Sequence, residues 1–266
     1  MTVPAVLPAP LPVLSGLPVP SGALDLPALP VPSGALDLPA LPVLSAFPGT
    51  PGAPDLLVTL LLAGLAAVAG AGVGWWGWSL AAAEERTTLP RRWRPVLALA
   101  TAIAWAAAVL AVTSPWAWPA ALVLGAGVVA LGAIDLRSRL LPNRLVGPFG
   151  VAAAVALAVA ALGLGEPLRL AGAAAGAAGL FAVYLLLALV SPGSLGMGDV
   201  KIAAVLGAYG GWLGWSAWVA TALSGFVLGA VMATVLLLAR LAGRRDRFAY
   251  GPAMLLGTLS VVLLAG

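Results

Sequence analysis

From Leu56 onward the chain is a series of long apolar blocks broken by short polar punctuation. Read as helices, these blocks predict membrane spans at 56–82, 95–112, 117–135, 146–164, 168–190, 199–212, 214–239 and 252–265. Several approach or exceed the roughly 18 consecutive apolar residues that a bilayer crossing needs. The sixth and eighth are short, as tilted, broken or re-entrant segments are. The expected fold is therefore all-α and polytopic, with about eight transmembrane helices.

Residues 1–54 follow a different pattern. The twelve-residue unit PVPSGALDLPAL stands twice in tandem, at 18–29 and 30–41, between the partial copies PVLSGL and PVLSAF. Closely spaced prolines forbid a helix, and the repeat lacks the alternation of a strand. We expect a disordered, polyproline-leaning tail. It does not read as a secretory signal, because the first basic residue is Arg86 and a charged leading region is missing. The expected organisation is a tail at 1–54, two N-terminal transmembrane helices at 55–116, and a membrane core at 117–266.

Composition sharpens this picture. Hydrophobic residues make up 62% of the 266 and charged ones 8%, against about 25% charged in a soluble domain. No room is left for a large soluble domain. The net charge of +4 comes from arginines in short connections, which is topology information rather than a nucleic-acid signature. Arg86, Arg91, Arg92 and Arg94 follow the first span, and Arg137, Arg139 and Arg144 the third. Lys201 lies just past the loop after the fifth, and Arg240, Arg244, Arg245 and Arg247 follow the seventh. Only Arg169 falls on the other side. Every second loop is basic, so those loops are expected in the cytoplasm and both termini outside.

Two residue types are missing altogether, cysteine and histidine. Their absence excludes disulfides, thiolate metal sites, cysteine nucleophiles, Ser-His-Asp triads and HExxH zinc sites. Chemistry must rest on carboxylates, on the one lysine, or on a metal held by oxygen ligands.

Nine acidic residues are available. Asp25, Asp37 and Asp55 belong to the tail or the entry to the first span. Glu84 and Glu85 sit in a basic loop, Glu166 caps an outer turn, and Asp246 lies among arginines. Asp135 and Asp199 remain. Both break long apolar runs at the same membrane face, where an ionisable side chain is costly and marks a functional site by default. Asp135 opens DLRSRLLPNRL, in which Pro142 and Asn143 make a turn. Asp199 ends GMGD, whose Gly196 and Gly198 leave backbone exposed for an extended peptide to approach. Two carboxylates at one depth can share a proton, one ionised to activate water and one protonated to polarise a carbonyl. They would then titrate as a unit. The plainer alternative is a pair of helix-end aspartates that cap helices or pair with arginines.

Taken together, DLRSRLLPNRL, GMGDVKIAAVLGAYGGW (196–212) and FAYGPAMLLG (248–257) resemble the prepilin peptidases, the type IV leader peptidases among the GxGD-type intramembrane aspartic proteases. The resemblance covers roughly 117–265. It implies that Asp135 and Asp199 are the catalytic pair, that Gly196 and Gly198 shape the active loop, and that Pro142, Asn143, Lys201, Gly251 and Pro252 are supporting parts. It implies no cofactor and no metal. The implied partners are prepilin-like or pseudopilin precursors, cut at the cytoplasmic edge of their hydrophobic segment after a glycine that follows basic residues. The implied location is the cell membrane. One feature departs from the larger, bifunctional members, which carry a domain with CxxC motifs between the first two spans. The corresponding AAEERTTLPRRWR loop has no cysteine, so N-methyltransferase activity is not expected.

Rival readings are a proton- or ion-coupled transporter, a Ser–Lys hydrolase using Lys201 with Ser191 or Ser194, and a non-catalytic membrane scaffold. A transporter predicts acids near the bilayer centre and repeated halves, whereas these two acids share one face and no internal repeat is visible in the membrane part.

Overall fold

The computed structural model of the chain describes residues 53–82, 89–138, 141, 143–191, 196–239 and 250–266. The repeat-bearing tail up to residue 52, Glu84, Glu85, Arg86, Arg139, Pro142, Ser194 and the arginine-rich stretch 240–249 lie outside the described residues.

Eight α-helices form among the described residues: α1 (Ala53–Ala82), α2 (Arg94–Ala111), α3 (Trp118–Ser138), α4 (Asn143–Gly163), α5 (Arg169–Val190), α6 (Met197–Leu213), α7 (Trp215–Leu238) and α8 (Gly251–Ala265). Each apolar block has become one helix. The chain is a multi-pass membrane protein: six of the helices are long and apolar enough to cross a membrane, and α6 and α8 fall short of that length. At a rise of 1.5 Å per residue, the 17 residues of α6 reach about 25 Å and the 15 of α8 about 22 Å, against a hydrocarbon core of about 30 Å.

Burial explains how short helices are tolerated. Of the 15 residues in α8, nine are buried, Gly251 through Leu255 among them. It packs against α3, α6 and α7, so protein rather than lipid surrounds most of it. By contrast α1 is the most exposed span, with Leu57, Leu65 and Val68 presented outward. The core lies where α3, α4, α6 and α8 meet, around Leu124, Phe149, Leu206 and Leu255.

Small residues set the closest contact. Gly172 and Gly176 of α5 face Gly207 and Gly211 of α6, and a Cβ on Gly172 would lie 2.6 Å from the Gly211 carbonyl oxygen. One on Gly176 would strike the Gly207 carbonyl oxygen. Helices in lipid associate through such close backbone approach, because hydrophobicity does not separate them from their surroundings. Gly176→Leu is therefore expected to force α5 and α6 apart at a cost of about 3 kcal/mol, read as a lower melting temperature in detergent. An unchanged melting temperature would show that the pair is not tightly docked.

Polar side chains fasten the remaining helices. Tyr209 on α6 donates its hydroxyl to the Ala120 carbonyl on α3 at 2.9 Å, inside the core. At the opposite end, the Arg94 guanidinium stands 4.7 Å from the Trp75 ring centre and 4.8 Å from that of Trp78, joining the start of α2 to the end of α1.

Candidate active site

Asp135 sits in the final turn of α3, where only 4% of its surface is exposed. Its Oδ2 accepts the backbone N–H of Gly251, the first residue of α8, at 3.0 Å. A helix N-terminus carries unsatisfied N–H groups and partial positive charge, so a carboxylate placed there is stabilised. Glycine is required at 251 by the closeness of this approach. A Cβ there would stand 2.7 Å from Oδ2 and 3.2 Å from Cγ of Asp135. Pro252 follows at the first turn, where its missing N–H costs nothing.

Asp199 is the third residue of α6, and its Oδ2 accepts the Gly196 N–H at 3.2 Å. This is the carboxylate half of a capping box, the acid reaching back over the residue that precedes its own helix. Asp199 is partly exposed, unlike Asp135. Both aspartates thus do meet helix N-termini, as the plainer reading required. Asp135, however, caps a helix 116 residues away in sequence and does so in a buried setting.

Leu141, between α3 and α4 in the chain, draws the two acids' neighbourhoods together. Its Cβ would lie 2.7 Å from a Cβ on Gly198, and its Cδ1 3.4 Å from one on Gly251. The first turns of α6 and α8 and the end of α3 therefore converge on one residue. Nothing in the sequence marks Leu141, since it is one leucine among many.

Two tyrosines complete the cluster. Tyr250 immediately precedes Gly251, and its hydroxyl lies 3.3 Å from that of Tyr184 on α5. Burial pushes the Tyr250 phenol above its ordinary range, the hydrogen bond with Tyr184 works against this, and the charge of Asp199 adds to the rise. Tyr250 thus stays a neutral O–H donor. Phe226 on α7 stacks on Tyr184 with ring centres 5.7 Å apart.

Lys201 and Asn143 meet each other instead. The Lys201 ammonium donates to Asn143 Oδ1 at 2.8 Å on an exposed surface, tying α6 to the start of α4. Two residues beyond Asp199, Lys201 points about 200° around the helix from it. It faces a groove lined by Gly147, Gly150, Ala154 and Val205. Its ammonium is thereby engaged by an amide, which weighs against its use as a base toward a serine. Among the described residues no three acidic side chains gather as a metal-binding group.

Against this geometry, the chain matches the type IV leader peptidase family over residues 122–234, a stretch that holds Asp135 and Asp199. No curated protein and no solved structure matches it.

Proposed function

With residues 122–234 matching the type IV leader peptidase family, we propose that the chain is an aspartic endopeptidase whose catalytic pair is Asp135 and Asp199. A protease of the leader peptidase type is what the family gives. The aspartic mechanism rests on one observation: a buried carboxylate on α3 and a partly exposed one on α6 flank a single junction, where Leu141 meets Gly198 and Gly251. In this mechanism the ionised aspartate removes a proton from water as the water oxygen bonds to the scissile carbonyl carbon. The protonated partner donates to the carbonyl oxygen. Collapse of the tetrahedral intermediate breaks the C–N bond, and the amine leaves with a proton from the dyad.

The substrate class we propose is a prepilin-like or pseudopilin precursor, with a basic leader, a glycine and then a hydrophobic segment. Such proteins serve type IV pili and protein secretion. Cleavage takes place at the cytoplasmic face of the cell membrane. The alternating basic loops support that reading, since basic loops favour the inner side and those here flank the end of α3 and the starts of α6 and α8; both termini would then lie outside. Gly196 offers exposed backbone beside which the peptide lies, and Gly198 gives Leu141 room against the start of α6. Gly251 and Pro252 fix the start of α8 beside Asp135, while the Asn143–Lys201 pair supports α6 from another face.

The test is cleavage of a synthetic precursor of that design by protein purified into lipid nanodiscs. We expect a single cut after the glycine, insensitive to chelators, by full-length protein and by a chain starting near Pro54 alike. With a methyl donor present, the product mass should match a free N-terminal amine. An uncut precursor, or activity that a chelator removes and a divalent ion restores, would defeat the proposal. Proton or ion flux without cleavage would favour the transporter.

A further inference from the structure

Tyr184 and Tyr250 are not accounted for by the two carboxylates. Tyr184 is 1% exposed, and burying a hydroxyl is unfavourable unless it is bonded. The pair has two phenolic protons and one bond between them. Either hydroxyl can donate in this bond, but Tyr184 is the more deeply buried, so the arrangement that leaves no buried proton unbonded has Tyr184 donating to the Tyr250 oxygen. The proton of Tyr250 then remains for a partner outside the pair.

Two connections bring this phenol to the acids. Gly251, the residue after Tyr250, gives its N–H to Asp135, and Tyr184 lies on α5, the helix docked on α6, whose first turn holds Asp199. The neighbouring helix is cut away to admit the pair. On α7, a Cβ at Gly229 would lie 2.5 Å from Tyr250 Cε2, and one at Gly225 would lie 3.4 Å from the Tyr184 hydroxyl oxygen. Phe226, between these glycines, contacts both rings at centre distances of 5.7 and 6.0 Å. A pair needed only for packing could be two phenylalanines. The hydroxyls call for another use.

We propose that Tyr250 is a further catalytic residue, whose O–H, oriented by Tyr184, donates to the scissile carbonyl oxygen as negative charge develops there. That oxygen has two lone pairs, and the protonated aspartate covers one. A preorganised donor on the other stabilises the tetrahedral state more than the ground state. No bond to Tyr250 forms or breaks, and its proton stays on the phenol. The inference rests on the aspartic peptidase reading.

The experiment is steady-state cleavage of the synthetic precursor by Tyr250→Phe, Tyr184→Phe, Asp135→Asn and Asp199→Asn in nanodiscs, each with a melting curve. Tyr250→Phe keeps the ring against Gly229 and Phe226 and is expected to lower kcat about a hundredfold with KM little changed. The limbs of its pH profile should stay where they are in the parent. Tyr184→Phe removes only the orienting group and should lower kcat about tenfold. It also supplies the answer where Tyr250→Phe does not accumulate. If both aspartate variants are inactive while Tyr250→Phe keeps kcat within threefold of the parent, Tyr250 is not a donor and the peptidase reading stands. Moved pH limbs with an unchanged plateau would make Tyr250 a neighbour that tunes Asp199, overturning the direct role. If either aspartate variant retains turnover, the reading beneath falls and this inference with it.

Discussion

Asp135→Asn and Asp199→Asn should each reduce cleavage at least about a thousandfold, since each removes one half of an acid–base pair. The double variant should be scarcely worse than either single one, because groups that act as a unit are strongly non-additive. The structure makes these clean substitutions. Asparagine at 135 still offers a carbonyl oxygen to the Gly251 N–H, so the start of α8 keeps its cap. Asparagine at 199 can likewise accept from Gly196. Membrane levels and melting temperatures should therefore remain near those of the parent, and the loss belongs to chemistry. Substantial turnover by either single variant, in protein present at matched amounts, would end the aspartic mechanism.

Gly251→Ala should be the most damaging change that adds a single methyl group. The new Cβ would stand 2.7 Å from Asp135 Oδ2, so either the carboxylate rotates away or α8 shifts. Both outcomes break the 3.0 Å bond that fixes Asp135. We expect cleavage to fall about a hundredfold or more, the usual consequence of displacing a reacting group by about 1 Å. Stability should fall by about 2 kcal/mol from the crowding. Gly257→Ala supplies the comparison, because its Cβ would strike Ser224 on α7, away from the aspartates. It should cost similar stability yet keep turnover per folded molecule. Equal turnover losses in the two variants would show that α8 acts only through general packing.

The sequence carried the helices well, because a span announces itself by an uninterrupted apolar run. Its errors lie at the polar ends. The third span was expected to stop at Asp135, yet α3 runs on to Ser138. The fourth was expected from 146, yet α4 begins at Asn143. An apolar run marks the hydrocarbon, whereas hydrogen bonding carries a helix through its first polar turn. Asp135 consequently lies inside a helix, held in a fixed direction. The two aspartates were legible because charge is so rare in this chain. The Leu141 wedge and the Tyr184–Tyr250 pair were not, since their significance lies in contacts between distant segments, 66 residues apart for the tyrosines. The facing glycines of α5 and α6 fall between these cases. Their four-residue spacing is visible in the sequence, but which helix each meets is not.

The shortness of α6 and α8 has a consequence for where the bilayer surface lies. Two helices of about 25 and 22 Å, standing among longer neighbours, cannot be level with them at both ends. Asp135, three residues from the end of α3, meets the first residue of α8, so α8 begins about 5 Å inside the end of that neighbour. A short helix surrounded by protein leaves the longer, lipid-facing spans to match the bilayer. Acyl-chain length should therefore act first on those spans, and on turnover only through them.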